Sequence, residues 1–328
     1  MKSDSAIDRR NFMISATAVA SFVAFPGAAI GADIKGYRGI YPIAWTPCKP
    51  DGALDLSAMA AQVAFCRRGK VAGLVWPQNA SAWATLSEQE WTDGMHALLS
   101  AAKGGKTKIV IGVQSVGGDT EKSVRYAQLA AAHGADGIIS LPPENATDAQ
   151  IVAYYRAIGA ATPLPLMMQA VGNTSVDLII ELSRQVPTLQ AVKDEAGDPL
   201  TRAPQILKGT RGLLADFSGN GGHTMLAEME LGFSGSCPYV GLADLYQSSF
   251  DLWQAGNRKA AFDLFGRISA FNSIPGSNEY VLVARGVFSE DTVLRKPAGA
   301  HAATALEPRQ KLFIRDAMEQ FLKPYAKA

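Results

Sequence analysis

The sequence predicts an α/β fold: a (β/α)8 TIM barrel with a C-terminal helical extension. Three observations carry that expectation. Strand-like and helix-like segments alternate from Gly39 to about residue 240, with a strand starting roughly every 20–35 residues, the size of one βα unit. The strands read as near-continuous apolar runs, as expected when both faces of a parallel sheet are covered. Eight such units fit a closed barrel better than an open doubly wound sheet. The open sheet is the alternative, and the lack of a glycine-rich dinucleotide fingerprint after the first strand weakens it.

The elements follow in order. Gly39 to Pro47 reads as a first strand, and Leu56, Met59, Val63 and Cys66 share one face of a helix closed by Gly69. Ala72 to Trp76 is a second strand, followed by the polar loop Gln78-Asn79-Ala80-Ser81 and a helix through Trp91, Met95 and Leu98. Lys108 to Val113 is the third, and Asp119-Thr120 caps a helix that Gly134 ends. Gly137 to Leu141 is the fourth, stopped by Pro142-Pro143. A helix through Ile151 and Tyr155 leads to the fifth, Leu164 to Met168. The sixth ends at Lys193, the seventh is Gly212 to Ala215, and the eighth is Gly232 to Ser236. Residues 241–328 form the helical extension of the same domain, a cap on the barrel or an oligomer contact.

Residues 1–32 stand apart from the barrel, which is assigned to residues 33–240. A polar start, the pair Arg9-Arg10 before Phe12, the apolar run Ile14 to Phe25 and the small residues of 27–32 have the layout of a cleaved secretory signal of the twin-arginine type. The expected destination is the bacterial periplasm, reached through the twin-arginine export machinery, with cleavage near residues 29–32. An uncleaved anchor is the alternative, for which the run is short. Cleavage removes Lys2, Arg9 and Arg10 from 31 basic residues and Asp4 and Asp8 from 30 acidic ones, leaving 28 of each. A neutral chain without basic runs excludes nucleic acid as a partner. Cys48, Cys66 and Cys237 are too scattered for a disulfide framework or zinc site, and the four histidines share no metal-ligand spacing. No metal and no cofactor is expected.

The chemistry points to residues 189–198, LQAVKDEAGD, where an apolar strand ends at Lys193. Burial disfavours a charged amine, and a neutral amine attacks carbonyls to form a Schiff base. The plainer reading is a strand-end lysine paired with Asp194, Glu195 or Asp198. In a barrel, active sites lie at the C-terminal ends of the strands. The loops 78–82, 169–173 and 218–222 should converge there with Lys193.

The chain from about Gly39 to Leu322 resembles the dihydrodipicolinate synthase / N-acetylneuraminate lyase family, which are Schiff-base lyases on a (β/α)8 barrel. The first strand ending Thr46-Pro47, the lysine segment AVKDEAGD (191–198), Phe217-Ser218-Gly219-Asn220, LGFSG (231–235) and Arg295-Lys296-Pro297 carry the likeness. The resemblance implies Lys193 as the Schiff-base residue. It implies a substrate pocket with Asn79, Ala80, Gln169, Asn173, Gly219 and Ser236, and a homo-oligomer.

Departures from the family pattern are as informative. Asn79 and Ala80 stand where the family carries two threonines, Met168 or Gln169 where it carries the proton-relay tyrosine, and Asn173 where the synthases carry an arginine. Backbone N–H groups of Asn79 and Ala80 can still hold a carboxylate. Carboxamides at Gln169 and Asn173 suit the hydroxyls of a sugar acid. Glu144, after the Pro142-Pro143 pair that resembles sugar-acid members, or a bound water, is the expected substitute acid/base.

The expected function is an exported lyase, aldolase or dehydratase, acting on a small 2-oxo acid or sugar acid. The alternative is a non-catalytic binding protein on the same barrel. Cys48 after strand one and Cys237 after strand eight would be neighbours in a closed barrel, which predicts a disulfide between them in an oxidising compartment.

Overall fold

The computed structural model describes residues 37–297 and 306–328, so the signal-like segment 1–32 lies outside the described residues. Eight parallel strands form one sheet: β1 (Gly39–Ile40), β2 (Gly73–Trp76), β3 (Lys108–Gly112), β4 (Gly137–Ser140), β5 (Leu166–Ala170), β6 (Leu189–Asp194), β7 (Ala215–Ser218) and β8 (Gly235–Ser236). β1 pairs with β8, and the order then runs down to β2. The seam between first and second strands is closed by Val75 N donating to Pro42 O and Ala44 N to Val75 O, both 2.9 Å. The expected (β/α)8 barrel is therefore present.

Period-two alternation sorts the strand side chains. Val75, Val110, Ile139, Met167, Ala191, Ala215, Phe217 and Cys237 point inward as one cluster. Leu74, Trp76, Ile109, Ile111, Ile138, Met168 and Val192 point outward into the larger core beneath the helices. Tyr37 and Tyr41 (centroids 5.4 Å apart) and Phe217 (5.4 Å from Tyr41) join the inner cluster. They fill the lower barrel, so space for a small molecule is left at the C-terminal mouth.

The helices start where polar caps satisfy their first amides. Asp55 caps α1 (Leu56–Arg68), a Ser87/Glu90 capping box opens α2 (Glu88–Ala102), and Asp119 caps α3 (Thr120–Ala132). A Thr147/Gln150 box opens α4 (Asp148–Ala161), Ser175 caps α5 (Val176–Gln185), and Asp198 caps α6 (Pro199–Gly209). The short α7 (Met225–Glu230) precedes β8. α8 (Ala243–Gln254) lies across the seam, where Gln247 Oε1 accepts from Ile40 N and Ala72 N, both at 3.2 Å. Three further helices, α9 (Arg258–Asn272), α10 (Ser277–Ala284) and α11 (Pro308–Ala317), pack beyond it. The C-terminus is fastened by Asp244, which is paired with Arg285 at 2.8 Å and accepts from Lys327 N at 2.9 Å.

Some expected boundaries shift, each for a backbone reason. The first strand breaks after Ile40 because Pro42 has no N–H, and pairing resumes at Ile43. The seventh begins at Ala215 rather than Gly212, because Gly212 (φ +67°) is the left-handed turn after α6. The eighth is only Gly235–Ser236, since Gly232 (φ +102°) turns the chain after α7.

The expected Cys48–Cys237 disulfide is corrected: all three cysteines are free and buried. Pro47–Cys48 leaves the barrel to pair antiparallel with Val293–Leu294, while Cys237 belongs to the barrel-lining cluster. The two follow neighbouring strands but diverge where the first strand ends.

Candidate active site

Lys193 is the last inward-facing residue of β6, two positions above Ala191, and is 3% exposed. Directly across the pairing with β5 stands Gln169, two positions above inward-facing Met167 and fully buried. Both continue apolar stripes of the barrel interior upward, so the polar atoms emerge where the packing ends. The next inward position after Lys193 is Glu195, and it organises the site. Its Oε1 accepts from Lys193 Nζ and its Oε2 from Gln169 Nε2. Its own N–H donates to Ala170 O at 2.8 Å, which extends the strand pairing by one step and fixes the side chain's origin.

Gly219 makes this arrangement possible. A Cβ on residue 219 would lie 2.1 Å from Glu195 Cγ, far inside contact distance. Gly219, expected to touch substrate, lines the cavity and supplies the volume that Glu195 fills.

A cavity of about 330 Å³ opens onto Lys193 and Glu195. One wall is the turn Gln78-Asn79-Ala80, the opposite one Gly219-Asn220-Gly221, and Cys237, Pro238 and Tyr239 close the third side. Tyr239 stacks on Trp45 (centroids 5.0 Å apart, planes at 4°). Burial, and secondarily the acids Glu279 and Glu195, push its phenol above the ordinary value, so it stays protonated. Burial also pushes the Cys237 thiol up to about 12, away from thiolate chemistry.

The turn is rigid. Ser81 Oγ donates to Ala44 O and Thr46 Oγ1 to Ser81 O, both at 2.6 Å, while Trp76 Nε1 holds Thr46 Oγ1 at 3.0 Å. Gln78 Nε2 donates to Gln114 Oε1 at 3.1 Å. Residues Asn79–Ser81 form a single 3₁₀ turn, and the first amides of such a turn have no acceptor within it. Asn79 turns its side chain away, its Oδ1 accepting from Trp83 Nε1 at 3.0 Å. Asn79 and Ala80 line the cavity, and their backbone N–H groups have no acceptor within the turn.

The other expected site residues are placed elsewhere. Gln169 stands behind Glu195 rather than on the cavity wall; its Oε1 is buried without a partner among the described residues. Asn173 is exposed in the turn after β5 and lines neither large cavity. Ser236 alternates with inward Gly235 and Cys237, so it faces outward, its Oγ 3.2 Å from the position a Cβ would take on Gly222. Glu144 is exposed and borders a second cavity of about 650 Å³ with Pro142 and Pro143. That cavity shares Asn79 with the first but does not include Lys193.

A buried acidic group lies on the other face of β6. Asp194 points outward and is held by Arg202 of α6, Nε to Oδ2 at 2.9 Å and Nη2 to Oδ1 at 3.2 Å. Beside it are Asp216 and Glu228, both fully buried. Burial first, then the charges of Asp194 and Glu228, raise the Asp216 carboxyl well above its ordinary value. Burial raises Glu228 too, against a hydrogen bond from Thr224 at 2.7 Å.

The model of the dihydrodipicolinate synthetase family matches residues 36–285. The chain belongs to that family. Among curated relatives, the 4-hydroxy-tetrahydrodipicolinate synthase of Sorangium cellulosum is 30% identical over 205 residues, 60% of this chain and 66% of the relative. A probable 5-dehydro-4-deoxyglucarate dehydratase of Streptomyces coelicolor is 31% identical over 156 residues, 45% of this chain and 47% of the relative. With these two the match therefore spans less than two thirds of the relative's length. Among solved structures, N-acetylneuraminate lyase from Mycoplasma synoviae superposes with a TM-score of 0.74 at 18% identity, covering 88% of this chain and 99% of the other. That likeness establishes the shared barrel. The relatives matched in sequence thus carry the names of a synthase and a dehydratase.

Proposed function

We propose that this family member is a lyase that forms a Schiff base between Lys193 and a small 2-oxo acid or sugar acid, and then cleaves a carbon–carbon or carbon–oxygen bond. The observation that carries the reading is the amine of Lys193 presented at a polar cavity, opposite amides able to hold a carboxylate. The carboxylate of a 2-oxo acid on the Asn79 and Ala80 amides would direct its carbonyl carbon toward Lys193. The resulting iminium draws electrons from the adjacent carbon and so serves aldol cleavage and dehydration alike. The cavity volume of about 330 Å³ suits a small substrate. Residues 1–32 support export by the twin-arginine route as part of the same proposal.

The Lys193–Glu195 ion pair favours one competing reading, a binding protein that keeps Lys193 as a charged clamp. Borohydride separates the two. Incubation with pyruvate and a panel of longer 2-oxo acids should add irreversible mass at Lys193, located by peptide mass spectrometry. Lys193→Ala should remain folded and take up none. Saturable binding of the same acids with no adduct in the parent chain would establish the clamp.

A further inference from the structure

We infer that Glu195 is the catalytic proton carrier of this site. The inference rests on the Schiff-base reading and adds the residue that performs its proton transfers. Three independent features of the fold converge on it. Of the two carboxylates bordering the cavity, Asp194 is turned to the outer face and engaged by Arg202, so Glu195 is the one directed at Lys193. Its two oxygens have different partners: Oε2 is oriented by the neutral carboxamide of buried Gln169, and Oε1 meets the amine itself. Its seat exists because residue 219 lacks a Cβ.

The side chain also has the access the role requires. Glu195 is 24% exposed, whereas the Lys193 side chain is 4% exposed, so the carboxylate borders both the amine and the solvent side of the cavity. Exposed Glu144, which the sequence offers for this work, borders the neighbouring cavity and has no such relation to Lys193.

The steps balance as follows. The carboxylate of Glu195 takes one proton from the Lys193 ammonium. The freed amine adds to the carbonyl carbon of the 2-oxo acid, forming the C–N bond as the C=O π electrons move to oxygen. Glu195 passes its proton to that oxygen and takes one from the new secondary ammonium, giving the neutral carbinolamine. The protonated Glu195 then protonates the hydroxyl, which leaves as water as the nitrogen lone pair forms the iminium. Glu195 ends as a carboxylate, and the net change is ammonium plus ketone to iminium plus water. Neither aldol cleavage nor dehydration has to be specified for this part of the reaction.

The test is the rate of adduct formation at Lys193 with pyruvate, followed by borohydride quench and mass spectrometry across pH 5 to 9. Glu195→Gln keeps the size but cannot titrate and cannot accept from both Lys193 and Gln169, since one of its two terminal atoms is now a donor; it should slow adduct formation by about 10²–10⁴-fold. Glu195→Asp, which keeps the charge one methylene shorter, should recover part of the rate. Thermal unfolding of all three proteins checks that each is folded. A carboxylate that only held the amine charged would release it on substitution, so an unchanged or faster rate in Glu195→Gln overturns the role. No adduct in the parent chain overturns the Schiff-base reading itself, and this role with it.

Discussion

Lys193 and Asp194 are neighbours in sequence and face opposite ways across one strand. Each is buried and each has an oppositely charged partner, yet the two pairs sit in different settings. On the inner face, Lys193 meets Glu195 at an open cavity, and part of the carboxylate is in contact with solvent. On the outer face, Asp194 meets Arg202 beside Asp216 and Glu228 between the sheet and helices α6 and α7, with Asp194 only 1% exposed. The difference teaches that a buried ion pair has no fixed meaning. The inner pair borders an open cavity, so water or another small molecule can replace either partner. The outer one has no such exchange partner, and breaking it strands a charge.

The largest effect on the fold should come from Asp194→Ala. It leaves Arg202 without its bidentate partner, and removal of one member of a buried pair typically costs about 3–5 kcal/mol. The low end applies here, since the Arg202 side chain is 15% exposed. Urea denaturation should show that loss, while the surviving folded fraction still traps a 2-oxo acid at Lys193. If stability is unaltered, the outer group does not hold the fold as described.

Gly219→Ala should do the reverse. The new Cβ would displace Glu195, whose partly exposed side chain can swing into the cavity with little cost to folding. Misplacing a reacting group by about 1 Å can cost on the order of 10²-fold in rate. Adduct formation at Lys193 should fall by that order with the urea midpoint nearly unmoved. Equal rates in parent and variant would mean that Glu195 keeps its geometry without the glycine.

Asp216→Asn should change a slope rather than a level. The folded state raises the Asp216 carboxyl above its ordinary value of 3.8, so above that value the folded chain retains a proton that the unfolded chain has lost. This contribution to stability falls as pH rises from the ordinary value toward the raised one. Asparagine does not titrate, so the variant's stability should decline less steeply with pH than the parent's. Urea titrations at pH 5 and pH 8 compare the two; parallel declines would show that Asp216 does not carry this dependence.

The sequence by itself determined the barrel. Alternating apolar runs and capped amphipathic segments contain the period of each element, and eight of them leave little choice of architecture. It also marked Lys193, since a lone lysine ending an apolar run can be located without knowing its neighbours. The turn at residues 78–81 was legible as part of the cavity wall for a similar reason, because it directly follows a strand whose end faces the barrel mouth.

What only the tertiary structure decided was which acid pairs with Lys193. Asp194, Glu195 and Asp198 were equivalent in the sequence. The strand's parity sends Asp194 outward to Arg202, and helix α6 takes Asp198 as its cap. Glu195 remains, one full strand repeat above Lys193, and Gly219 from the next strand makes its seat. The same parity turns Ser236 out of the cavity, since one residue along a strand reverses the face. Loop paths put Asn173 and Glu144 outside the Lys193 cavity and lead Cys48 away from Cys237. Strand registers and loop paths of this kind depend on contacts between segments far apart in the chain. No local pattern around a single residue contains them.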